Sequence, residues 1–310
     1  MDLAWYGLLG TLFGGYLALD GTAIGAGILL RASGYGERAR RATITSFGPF
    51  FLGNEVWLVM TVATLLAVFP RLEGLLFHGH YPLIVAVLLI WLVRDGSVWF
   101  RSRVERPGWR RGWDRVLVGT SVAFAAGLGL LVGNLLVAVP GAGTVWMPFG
   151  WYPLLWALTT VSVFTVHGAS FLAVRMPDDL ARASVRTVRR WASPAAALTA
   201  VAVVLGGVIQ SGAVTVVTGA PAVLALFAAG RVVTGRPRFA LLLTALAAAT
   251  PAALVGVRLL PAAERSFATE AALATLEGPL TIVLPAVAAL QLWTWWVFLR
   301  RIDSRTTVFF

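Results

Sequence analysis

Nine apolar runs divide the chain, at 3–30, 43–69, 76–100, 116–140, 151–174, 192–210, 213–230, 239–260 and 279–299. About 20 apolar residues let a helix cross the hydrocarbon core. In lipid, a helix also satisfies its own backbone hydrogen bonds. The pattern predicts an all-α, polytopic membrane bundle of about nine transmembrane helices. Composition agrees: 58% of residues are hydrophobic and 13% charged, about half the roughly 25% charge of soluble domains. A soluble globule and a disordered chain are both excluded. The count turns on residues 191–230, which hold no charge across 40 positions. One helix of that length would measure about 60 Å, twice the core. A tight hairpin near Gln210-Ser211-Gly212 therefore splits the run, with an eight-span chain as the alternative. The first run carries Asp20 and lacks a basic leader and a small-residue cleavage site, so it is read as a true span.

All 25 basic residues are arginines, and they are unevenly placed. Segments 31–42, 94–115, 175–190, 231–238 and the tail after 299 hold 22 of them, while the alternate segments hold only Arg71, Arg258 and Arg265. By the positive-inside rule the N-terminus lies outside and the C-terminus is cytoplasmic. The net charge of +11 is thus read as topology, and no nucleic-acid partner is expected. The absence of cysteine excludes disulfides, thiolate-bound metal and a cysteine nucleophile. The pieces between spans are too short for a soluble catalytic module, so chemistry belongs to the membrane interior or to a partner.

Charges within spans are costly and mark functional candidates. They are Asp20, Glu55, Arg94 and Asp95, with His167 and Arg258. Asp20 lies about 16 residues before the centre of the first loop and Glu55 about 18 after it. An antiparallel hairpin therefore sets both acids at similar depth, where they can share or relay a proton. Arg94 reads either as a snorkelling side chain beside an interfacial Asp95 or as a structural counter-ion to Glu55 or Asp20. His167 reads as a structural hydrogen-bonding residue. His78 and His80 fall in a short outer turn. With three histidines and no cysteine, the chain is a poor host for haem, and no metal site is expected. Gly10 and Gly14, Gly21 and Gly25, and Gly129 and Gly133 form small-xxx-small pairs suited to helix packing.

Several blocks resemble subunit II of the cytochrome bd-type quinol oxidases. Asp20-Gly21-Thr22-Ala23-Ile24-Gly25-Ala26-Gly27-Ile28-Leu29 is similar to that family's D-G-F-D-x-G-x-G-x-L stretch. Gly48-Pro49-Phe50-Phe51-Leu52-Gly53-Asn54-Glu55-Val56-Trp57-Leu58 resembles its G-P-x-W-D-G-N-E/Q-V-W-L. Ala67-Val68-Phe69-Pro70, the Arg94-to-Arg101 frame, Gly133-Asn134-Leu135-Leu136, His167-Gly168-Ala169 and the final Arg300-Arg301 follow in the family's order. Three family acids are replaced, by Ala23, Leu52 and Trp99. The long outer loop between the sixth and seventh spans is nearly absent.

The resemblance implies a quinol:dioxygen oxidoreductase of the bacterial inner membrane. Its haems, of b and d type, and its quinol site belong to subunit I. This chain would be a haem-free partner, built as one membrane domain over 1–310. A first four-helix bundle would cover 1–140, a second 151–260, and one further helix 279–299. A structural quinone, lipid and small accessory membrane subunits are further expected partners. Asp20, Glu55 and Asn54 remain as proton-path candidates, although the first two replaced acids belong to the family's proposed proton route. Two alternatives stand beside this reading: a proton-coupled secondary transporter, and a bd-like complex with a different electron acceptor.

Overall fold

The computed structural model describes residues 2–32, 36–137, 149–210 and 212–302. Among them the chain forms ten α-helices and no strand. They are α1 (Asp2–Ile28), α2 (Gly36–Phe47), α3 (Phe51–Val68), α4 (Pro70–Arg101), α5 (Pro107–Val137), α6 (Trp151–Arg175), α7 (Asp178–Ile209), α8 (Ala213–Val232), α9 (Pro237–Ala263) and α10 (Glu270–Phe298). Nine are long and apolar enough to cross a membrane, and α2 is the exception.

The run at 43–69 is two elements rather than one span. Its first residues close α2, whose buried face is Ala39, Thr43, Ile44, Thr45, Ser46 and Phe47. Gly48-Pro49-Phe50 then turns the chain into an 18-residue α3. Pro49 has no N–H to give and disfavours helical backbone in the residue before it. Helix α3 ends at Phe69, whose backbone is non-helical, and Pro70 opens α4. The outer turn expected at His78 and His80 coincides with a break in α4, where two helical stretches meet. His80 marks a kink inside α4, with φ −124° and ψ 16°, two residues before Pro82. A proline there removes a helical hydrogen bond and crowds the preceding turn. Elsewhere the helices outrun the apolar runs: α5, α7 and α10 begin with charged turns at 107, 178 and 270. The hairpin at 210–212 divides α7 from α8, with Ser211 itself outside the described residues, as are 138–140 and Arg305. Gln210 donates to the Leu136 carbonyl at 3.2 Å and accepts from Thr215 at 2.9 Å.

Helices α1, α5, α6 and α9 form the centre. Helix α1 crosses α6 where Gly25 meets Gly168: a Cβ on either would fall inside van der Waals distance of the other helix's backbone. Gly21 sits one turn earlier, where a Cβ would lie 3.1 Å from the Phe164 ring. Gly129 and Gly133 play the same part between α5 and α6, against Trp156 and Pro153. Gly10 departs from the packing expectation, because nothing lies within 4 Å of its Cβ position, and Gly14 makes only ordinary contact with Ala249 and Ala252. Tyr6 ties α1 to α9 by donating to the Gly256 carbonyl at 2.6 Å. Helix α10 is peripheral and leans mainly on α3.

Gly168→Ala should therefore destabilise the protein by about 1–3 kcal/mol, the usual cost of overpacking, while Gly10→Ala should leave it unchanged. Thermal unfolding of both variants in detergent checks this.

Candidate functional site

Four of the charged residues named from the sequence converge. Asp20 comes from α1, Glu55 from α3, and Arg94 and Asp95 from α4. Asp20 is fully buried and Arg94 is 2% exposed. The Arg94 guanidinium lies 3.6 Å from Asp20 Oδ2 and 3.1 Å from Asp95 Oδ1. Tyr16, one turn earlier on α1, donates to Asp20 Oδ2 at 3.4 Å. Trp91, one turn before Arg94, donates its indole N–H to Glu55 Oε1 at 3.1 Å. The Glu55 carboxyl also lies near enough to Asp95 for the two to interact electrostatically.

This geometry decides between the two readings of Arg94. It does not snorkel: its head turns inward to two carboxylates, because a buried guanidinium needs a paired charge. Its partners are Asp20 and Asp95, and Glu55 joins through Asp95 and Trp91. The sequence placed Asp20 and Glu55 at one depth, and they do flank one cluster, with α4 supplying the groups between them.

Asn54 lies beside the Asp20 carboxyl and donates to the Leu19 carbonyl at 3.0 Å. Its side-chain amide is 2.9 Å from that of Gln291, which brings α10 to the site. His167 has a separate role. Its Nε2 lies 2.7 Å from the Ala18 carbonyl, which can only accept, so Nε2 carries hydrogen. Its Nδ1 lies 2.8 Å from Thr244 Oγ1. Both ring nitrogens are spent tying α6 to α1 and α9. Arg258, also named from the sequence, reaches the Leu136 carbonyl at 3.4 Å and closes the end of α5.

Of the three histidines, His167 has both ring nitrogens engaged, and His78 and His80 each turn Nδ1 to a carbonyl one turn back in α4. Among the described residues no group of three or more His, Cys, Asp or Glu is placed to hold a metal ion.

Two features were not legible in the sequence. The first is an ion network at the arginine-rich end. Arg101 is 2% exposed and donates to Asp114 at 2.6 Å and to both Glu37 oxygens at 3.0 Å. Arg40 bridges the same two acids, at 3.1 Å to Asp114 and 3.3 Å to Glu37. The available signal was the pair of acids at 37 and 114 within segments otherwise rich in arginine. The second is an apolar cleft of about 530 Å³ between α1, α3, α4 and α5. Phe13, Leu58, Val62, Ile84 and Leu131 line it, and Trp91 joins it to the acid cluster.

Comparison with known proteins gives the family. A family model described as "Cytochrome bd terminal oxidase subunit II" matches residues 1–298. The chain is 31% identical over 215 residues to the Cytochrome bd-I ubiquinol oxidase subunit 2 of Escherichia coli strain K12, covering 66% of this chain and 55% of that protein. It is 30% identical over 182 residues to the Cytochrome bd ubiquinol oxidase subunit 2 of Bacillus subtilis, covering 57% and 54% respectively. A "Probable cytochrome oxidase subunit 2" of Haemophilus influenzae is 30% identical over 214 residues. The chain thus spans about half the length of the relatives it matches. It is a multi-pass protein of the bacterial inner membrane.

Arg94→Met should cost about 3–5 kcal/mol, because it leaves buried carboxylates without their charge partner. Adding Asp20→Asn should restore part of that loss, as thermal unfolding of the single and double variants would read.

Glu37 offers a pH test outside the spans. Partial burial works against its charge, but the Arg101 guanidinium, with Arg41 and Arg40, outweighs this and holds its carboxyl below the usual carboxylate range. A lowered folded-state value stabilises the protein at neutral pH, and the gain fades as the pH falls below about 4.5 toward the folded value. Acid unfolding should therefore be less steep in Glu37→Gln than in the parent, as measured by melting temperature between pH 7 and 4.

Proposed function

Since the chain belongs to the cytochrome bd terminal oxidase subunit II family, we propose that it is the haem-free subunit of a complex that oxidises quinol and reduces dioxygen. One observation carries this reading. The three blocks that resemble the family, at 20–29, 48–58 and 94–101, are far apart in sequence yet supply Asp20, Asn54, Glu55, Arg94 and Asp95 to a single buried cluster. In the reading, the chain docks on a haem-bearing subunit I, whose haems are of b and d type. Those haems supply the oxygen chemistry. Small accessory membrane subunits complete the assembly. The helices of 1–140 and 151–260 form two four-helix bundles, and α10 is the additional helix. The N-terminus faces outward and the arginine-rich end faces the cytoplasm.

The chain's own residues hold and position protons. Oxygen reduction consumes protons, and Asp20, Glu55 and Asp95 are carboxyls gathered in one cluster that can pass them. Arg94 fixes the orientation of Asp95 and Asp20. Where the family pattern has an acid at position 99, this chain has Trp99, yet Asp95 stands one turn earlier on the same helix and supplies a carboxyl there. The apolar cleft fits the isoprenoid chain of a structural quinone: its walls are almost wholly hydrocarbon and aromatic, and it is open along α3 and α4.

Glu55→Gln and Asp20→Asn should slow oxygen uptake with quinol as donor while leaving the haem spectrum of the purified complex intact. Full turnover with intact spectra in both variants would remove these acids from proton supply.

A further inference from the structure

At the arginine-rich end, α7 and α8 enclose a polar groove of about 510 Å³, lined by Arg189, Ser193, Phe227, Gly230, Arg231 and Thr234. Gly230 lets the helices close beneath it, since a Cβ there would meet Ala192 at 3.0 Å. Arg231 is already oriented: its guanidinium lies 3.4 Å from the Phe227 ring centroid and donates to the Phe227 carbonyl at 3.3 Å. Two arginines, a serine and a threonine thus line one space, and no carboxylate is among its lining residues.

The surface below the groove has the opposite character. From the groove inward, α7 exposes Val201, Val204 and Val208, and α8 exposes Phe227, Leu224 and Val217. Spacings of three, four or seven residues keep each set on one helix face. No charge interrupts residues 191–230. A ligand for the whole surface has an anionic head and a long apolar body.

We propose that this groove binds the phosphate headgroup of an anionic phospholipid, with its acyl chains lying along the exposed α7–α8 face. The phosphate is held by Arg189 and Arg231, planar donors that match its oxygens, and by the Ser193 and Thr234 hydroxyls. A free phosphate shares the head chemistry but leaves the apolar face uncovered.

The test uses the chain with its co-purifying subunits, reconstituted in nanodiscs of phosphatidylglycerol and phosphatidylcholine, with retained lipid counted by native mass spectrometry. The parent should retain phosphatidylglycerol preferentially, and the double variant Arg189→Gln/Arg231→Gln should lose that preference about tenfold to thirtyfold. Arg236→Gln, at the same end but outside the groove, should leave it unchanged. Equal retention in parent and double variant would overturn the proposal. So would an equal loss with Arg236→Gln, which would show only general surface charge. Displacement of the lipid by millimolar inorganic phosphate would also overturn it, by showing that the acyl chains add nothing.

Discussion

Arg94 is the charge on which the first half of the molecule depends. It lies on α4 in the membrane-spanning part, and its guanidinium joins Asp20 of α1 to Asp95 on its own helix. Removing two such groups from water costs several kcal/mol for each ion, and the pair recovers this only through close geometry and further hydrogen bonds. Tyr16 supplies one such bond to Asp20, and Trp91 holds the neighbouring Glu55. Helices α3 and α4 flank the apolar cleft, and beside it the cluster joins both of them to α1.

The other half of the bundle is organised by close backbone approach. Gly25 and Gly168 let α1 and α6 touch main chain to main chain, and His167, next to Gly168, bonds across both of its neighbours. In a membrane, helices gain little from apolar transfer, so small residues and interhelical hydrogen bonds carry association. Asp20 sits one turn before this crossing on the same helix. The rigid crossing of α1 and α6 thereby fixes where the acid cluster stands.

Much of this was legible from residues alone. Apolar length located the spans, and hairpin arithmetic brought Asp20 and Glu55 to one region. Motif order indicated the family that the comparison with known proteins then established. The boundaries were less legible, because apolar runs do not mark where a helix turns. Thr43 to Phe47 read as membrane-spanning, but Pro49 places them on the separate α2. His78 and His80 read as a turn between two spans; α3 already ends at Phe69, and the histidines stand at a break between two helical stretches of α4. Arg94 could be read outward or inward, since one arginine near a span end fits both. Only the approach of α1 decides it. The network of Arg101, Asp114, Glu37 and Arg40 was hidden for a similar reason: its members belong to segments that look solvent-exposed one at a time and become buried only when α2, α4 and α5 meet.

The central claim is that this chain supports redox chemistry carried out in a partner. The most direct measurement is a reduced-minus-oxidised visible spectrum of material purified mildly from its native membrane through a tag on this chain, with the co-purifying chains identified by mass. The account predicts haem bands together with a larger, haem-bearing subunit, and no haem on this chain once the subunits are separated. A stable, colourless chain without a partner, able to drive proton-dependent solute flux when reconstituted alone, would contradict it.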